Sequence, residues 1–217
     1  MLHHTEEYDK LLALYKNFII KENDNIIDIG AHHGSISLRF ASLGAQVHAY
    51  EANPINMKIL QKNILLNPQL KIKAYNKAVC DCLNTVKFNF GKSSTTGSLD
   101  YLDFDIHTLE KECKTKIVEI KTISLNSILN SFDNIKLLKI DCEGCEYEIL
   151  QSVSIENIKK VQYMLIEAHS TKYHIPNDLI DILKRNGFEY YSQYASKGCL
   201  EFICRNINYI DKDNSND

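Results

Sequence analysis

No apolar run in this 217-residue chain approaches the ~18 residues that cross a bilayer, so a membrane protein is not expected. The first residues, MLHHTEEYDK, lack the apolar centre of a signal peptide. Positive charge is not in excess either. Against 28 acidic residues stand 25 basic ones, and a net charge of −3 leaves no general electrostatic footprint for nucleic acid. The seven cysteines are odd in number and give no disulfide framework, so reduced thiols in a cytoplasmic protein are expected. Internal repeats are missing, and only the tail DKDNSND (211–217) has the composition of a disordered segment. What is present is ordinary for one globular domain over residues 1–210, with 44% hydrophobic and 24% charged residues.

The apolar pattern switches repeatedly between short runs and helical periodicity. TEEYDKLLALYKNFI (5–19) places Tyr8, Leu11, Leu12 and Tyr15 on one face and reads as a helix within an N-terminal extension, 1–24. Then follow a strand NIIDIG (25–30), a helix SISLRFASLG (35–44), a strand AQVHAYE (45–51), a helix PINMKILQKNILL (54–66) and a strand KIKAYNKAV (71–79). Pro54 suits the first turn of its helix. This βαβαβ order predicts an α/β protein with a parallel sheet and helices on both faces. TVKFNF (85–90) and KIVEIKTI (116–123) read as strands, and the polar, turn-rich stretch between them (91–115) as a loop that faces substrate or simply the surface. The alternation resumes with strand IKLLKID (135–141), helix EGCEYEILQSV (143–153), strand VQYMLIEAH (161–169), helix PNDLIDILKRNG (176–187), and strands FEYYS (188–192) and CLEFICR (199–205).

The first strand–helix junction carries the first chemical signal. In DIGAHHGSIS, Asp28 ends the strand, and Gly30 and Gly34 permit a tight turn and the close approach of a ligand. Glu51 ends the next strand, 21 residues after Gly30, where an acidic side chain can accept both hydroxyls of a ribose. A dinucleotide fingerprint needs a further glycine where His32 stands, followed here by His33, so a cofactor with ribose and adenine but no phosphate fits better.

With Asp28, Gly30, Gly34 and Glu51 in place, the chain resembles the Rossmann-like methyltransferases that use S-adenosylmethionine. IIDIGAHHGSISL and YEANP (50–54) resemble the cofactor half of the FkbM-type family, while ISLNSIL (123–129) and LLKIDCEGCEYEIL resemble its second signature. LIEAH (165–169) and the late Gly187-Phe188 continue the match, so that it spans roughly residues 25–205. The resemblance implies a class I methyltransferase fold with a mostly parallel twisted sheet and an antiparallel last strand. It also implies a cofactor site formed by Asp28, Gly30, Ala31, His32, Gly34, Glu51, Ala52, Asn53, Ala78 and Asp141. Asn126 departs from the family pattern, which has an aspartate there.

Asp141, Glu143, Glu167 and His169 fall at the carboxyl ends of two strands and are the candidate catalytic residues, since a hydroxyl must lose its proton as it is methylated. Such a cluster can hold a divalent cation. General-base catalysis without metal, by one of these residues or by His32 or His33, is the expectation. Cys142 and Cys145 have C-x-x-C spacing but no second pair to complete a zinc site, so they are read as packing residues. The expected activity is O-methylation of a small metabolite or a sugar, with no nucleic-acid partner. The alternatives are methylation of RNA or protein, for which Lys58, Lys62, Lys71, Lys73 and Lys77 are the candidate face, and a non-catalytic cofactor-binding protein.

Overall fold

The computed structural model describes residues 19–81, 84–90, 97–99, 116–196 and 199–209. The helix expected over 5–19 and the tail 211–217 lie outside these residues, apart from Ile19. The elements run β1 (Asn25–Ile29), α1 (Ser35–Ser42), β2 (Gln46–Tyr50), α2 (Pro54–Leu65) and β3 (Ile72–Tyr75). Next come β4 (Ala78–Val79), β5 (Thr85–Phe90), β6 (Gly97–Leu99) and β7 (Lys116–Ile123), then α3 (Leu125–Leu129) and β8 (Ile135–Ile140). The last part comprises α4 (Glu146–Ser152), α5 (Ile155–Ile158), β9 (Val161–His169), α6 (Leu179–Arg185), β10 (Phe188–Ser196) and β11 (Cys199–Asn206).

Seven of the strands form one sheet in the order β10-β11-β9-β8-β1-β2-β3. Neighbours from β9 to β3 are parallel, and β11, last in the chain, is antiparallel to both β9 and β10. The central strands are apolar on both faces because both are covered. Ile26, Leu137 and Leu165 pack with Phe40 and Ala41 of α1 on one face. Ile27, Leu138 and Ile166 pack on the other with Leu129 of α3, Ile149 of α4 and Leu183 of α6.

The stretch 71–79 is not one strand. β3 stops at Tyr75, and Ala78–Val79 pairs with β7 in a second sheet of order β4-β7-β5-β6. Asn76 makes the break, donating through Nδ2 to the carbonyls of Glu51 (2.8 Å) and Ala52 (3.0 Å) where a strand would continue. Part of the polar stretch 91–115 is also strand, since β6 pairs antiparallel with β5; its other residues lie outside those described. The expected helix 143–153 begins only at Glu146, because Glu143 (φ 57°) and Gly144 (φ 107°) are left-handed. Glu143 therefore sits in a turn and does not open the helix.

Asn126 accounts for its own departure from the family pattern. Its Oδ1 accepts from the Ser154 amide (2.9 Å) and from Asn157 Nδ2 (3.0 Å), while its Nδ2 donates to the Ser152 carbonyl (3.0 Å). A carboxylate has no donor for Ser152. Asn126→Asp should cost about 1–3 kcal/mol of stability, the range for stranding a buried partner, as read by urea unfolding.

Candidate active site

The site collects where the ends of β1, β2, β8 and β9 meet. The turn after β1 is fixed first: the amides of Gly30 and Ala31 both donate to the Tyr50 carbonyl (2.9 and 3.0 Å), and the Asp141 amide donates to the Ile29 carbonyl (3.1 Å). Gly30 has φ 75°, and a Cβ there would run into the Asp141 carbonyl oxygen. Only glycine allows this approach. His32 (φ 51°) is left-handed as well, and its ring stacks on that of His33 with centroids 3.8 Å apart. Gly34 caps α1 without any side-chain bond, leaving the helix N-terminus to its own amides.

Glu51 is buried, and its two oxygens accept from the amides of His32 and Asn53, both at 2.7 Å. Burial pushes its pKa up, opposed by these amides and by the charge of Lys139. Asn53 uses its side chain to cap α2, accepting from the Ile55 amide at 2.9 Å, so it shapes the turn and offers a ligand only its backbone. Ala52 is half-buried beside it, and Ala78 is buried in β4.

Asp28 is fully buried and accepts from Ser37 Oγ at 2.6 Å. The residue the sequence reading passed over is Lys139, which lies in register with Asp28 on the neighbouring strand. Its ammonium is 3.4 Å from Asp28, 3.2 Å from Asp141 and 2.8 Å from the Gly30 carbonyl. A buried cation therefore ties together the ends of β1 and β8 and offsets two carboxylates. Its signal was visible: a lysine inside the apolar strand IKLLKI has to find a partner. Ser37 gave no such signal.

On the other side, His169 Nδ1 bonds Glu146 Oε1 at 3.1 Å, and its Nε2 lies 3.6 Å from Glu143 and 3.8 Å from Glu167. Burial lowers the pKa of His169, but the Glu146 bond and the charges of Glu146, Glu143 and Asp141 outweigh it and raise it to about 10. The carboxylates around it thus favour the imidazolium form of the ring. Glu143 and Glu167 are both raised to about 7, chiefly by burial. Glu146 is fully buried and also accepts from the amides of Cys142 and Gly144, each at 3.1 Å, so it braces the turn. Cys145 is buried in the core, and Cys142 packs against it; both are free thiols. Cys80, in contrast, is disulfide-bonded, so the thiols are not all reduced.

The strand order, the antiparallel final strand and the acidic residue closing β2 define a Rossmann-like class I methyltransferase fold. The model of the methyltransferase FkbM domain matches residues 28–190, and the chain belongs to that family of S-adenosylmethionine-dependent methyltransferases. Among solved structures it is similar to a putative rRNA methylase of Clostridium thermocellum, with 9% identity, TM-score 0.54 and coverage of 94% of this chain and 97% of that one. It is also similar to precorrin-6y C5,15-methyltransferase of Geobacter metallireducens, with 10% identity, TM-score 0.53 and coverage of 89% and 85%. A third likeness, at 14% identity and TM-score 0.50, is TrmK of M. capricolum in complex with S-adenosyl-homocysteine, covering 94% and 70%. At such identities these likenesses speak for the fold alone. No curated protein sequence matches the chain. No helix among the described residues is long and apolar enough to cross a membrane.

Proposed function

We propose that the chain moves the methyl group of S-adenosylmethionine to a hydroxyl oxygen of a small metabolite or a sugar. The observation that carries this reading is the half-exposed carboxylate cluster of Asp141, Glu143 and Glu167 at the ends of β8 and β9, directly beside the Gly30 turn. The residues present fit the cofactor. Glu51 already accepts the amides of His32 and Asn53 and a side-chain hydrogen bond from Asn56, which fix its carboxylate at the end of β2. There an oxygen with lone-pair capacity left can accept from a ribose hydroxyl. The backbone of Gly30 to His32 and the bare N-terminus of α1 form the floor, and Ala52 and Ala78 supply apolar surface for adenine. Asp141 takes the cationic end of the cofactor.

When bound, the cofactor supplies an electrophilic methyl on a sulfonium. The chain's own part is to place the acceptor in line with it and to take a proton. Glu143 and Glu167 are the carboxylates placed to do so, and His169, already protonated, holds them. The proton passes from the acceptor hydroxyl to a carboxylate as the oxygen–carbon bond forms and the sulfur–carbon bond breaks with its electron pair left on sulfur. The carboxylate rim opposes binding of a phosphate backbone, and Lys71 of the candidate basic face is already paired with Glu22 at 3.3 Å.

A methyl-transfer screen with tritiated cofactor against hydroxylated metabolites, sugars, tRNA and denatured protein tests the reading. Label is expected in the small-molecule fraction, and label confined to tRNA or protein would overturn it. Glu51→Ala should weaken S-adenosylhomocysteine binding by roughly 1.5–3 kcal/mol, the range for hydrogen bonds to charged groups. An unchanged dissociation constant by calorimetry would remove Glu51 from the site.

A further inference from the structure

We propose that Glu167, His169 and Cys199 form a three-ligand site for a divalent transition-metal ion, with zinc the best match and Glu143 poised beside the open position. The sheet itself brings them together. Residues 167 and 169 share a face of β9, and Cys199 of β11 lies in register with His169. The ligand atoms of Glu167, His169 and Cys199 all lie within 4.8 Å of one another.

The spacing around His169 Nε2 favours an ion over direct hydrogen bonds. Its separations of 3.6 Å from Glu143 and 3.8 Å from Glu167 exceed the ordinary hydrogen-bond range. Two ligand atoms each about 2.1 Å from one ion, at a tetrahedral angle, lie about 3.4 Å apart. The opposite ring nitrogen is already engaged: Nδ1 bonds the buried Glu146, which orients the ring and leaves Nε2 as the ligand atom, its proton being released to solvent as the ion binds. Glu146 adds an independent observation. Its second oxygen, Oε2, is buried with no hydrogen-bond partner, so the carboxylate that orients the histidine has acceptor capacity left unused beside the site.

The donor chemistry decides the class of metal. A thiolate and an imidazole with one carboxylate suit zinc, whereas magnesium and calcium take oxygen ligands. Cys199 is a free, half-exposed thiol, so the ion can reach it from solvent. Asp141 is not needed, since Lys139 already holds it. This is against the metal-free expectation from the sequence. For what the ion would do, the inference rests on the proposed function: facing the acceptor, it would polarise the hydroxyl to be methylated, and with Glu167 held as a ligand the proton passes to Glu143.

The test is made on the full chain, stripped with chelator and titrated with Zn2+ by calorimetry, then with Co2+ by absorbance. One zinc per chain and a near-ultraviolet thiolate-to-cobalt band are expected. Cys199→Ser should abolish the band, and Glu167→Gln should weaken zinc binding roughly 10–100-fold. Both replace half-exposed side chains and should leave the fold intact, unlike changes at the buried His169. A band that persists in Cys199→Ser, zinc binding unaltered in both variants, or no binding at all would overturn the site. S-adenosylhomocysteine binding and methyl transfer are measured on the stripped protein and again after zinc is restored. If both persist while zinc fails to bind, only the metal inference falls; if zinc binds but no methyl is transferred, the proposed function falls.

Discussion

Lys139→Met is expected to cost about 3–5 kcal/mol of stability, the loss that follows when one partner of a buried ion pair is removed. Methionine preserves most of the stem, so packing changes little and the charge is what disappears. Asp28 is fully buried, and without the ammonium it keeps only the Ser37 hydroxyl among the partners described above. The Gly30 carbonyl loses its 2.8 Å donor at the same time, so the cofactor turn should loosen along with the fold. Urea unfolding measures the first effect and S-adenosylhomocysteine calorimetry the second. The double variant Lys139→Met/Asp28→Asn identifies the cause: if uncompensated charge is responsible, removing it from Asp28 restores part of the loss. A loss below about 1 kcal/mol in the single variant would mean that water or a shift of Asp28 replaces the lysine.

Much of this arrangement was legible because it is written in local patterns. The covered parallel sheet requires strands that are apolar on both faces, and IIDI, LLKI and MLIEA have that character. Position 28 and position 51 could be read as strand-end carboxylates for the same reason. What was not legible depends on partners distant in sequence. Lys139 and Asp28 are 111 positions apart, and only the register of β1 with β8 brings them together. Glu146 looked like one acid among four in a short segment, yet it is the fully buried one that braces the turn and orients His169. The left-handed backbone at Glu143, a residue with no glycine-like freedom, was equally hidden, because it is imposed by the bonds Glu146 makes to Cys142 and Gly144. The division of residues 71–79 between two sheets followed from the side chain of Asn76, which no periodicity reveals.

Asp141→Asn should reduce turnover by about 100-fold or more while leaving stability nearly unchanged, the size of effect seen when one preorganised charge or dipole at a reacting centre is lost. A helix-capping role for Asp141 is excluded by position, since α4 begins at Glu146 with Cys145 at its N-cap and no side-chain cap bond. Asparagine keeps the shape of the side chain, and Lys139 retains Asp28 and the Gly30 carbonyl. Stability is therefore not where the change should register. The sharper measurement compares two ligands. S-adenosylmethionine carries a sulfonium that S-adenosylhomocysteine lacks, so a carboxylate facing that charge must favour the former. In the wild-type protein Asp141 should contribute to this preference, and in Asp141→Asn affinity for S-adenosylmethionine should fall by more than affinity for S-adenosylhomocysteine. Equal losses for both ligands would place Asp141 at the amino group common to the two. Wild-type turnover in the folded variant would remove it from the site altogether, leaving Lys139 as its sole reason to be charged.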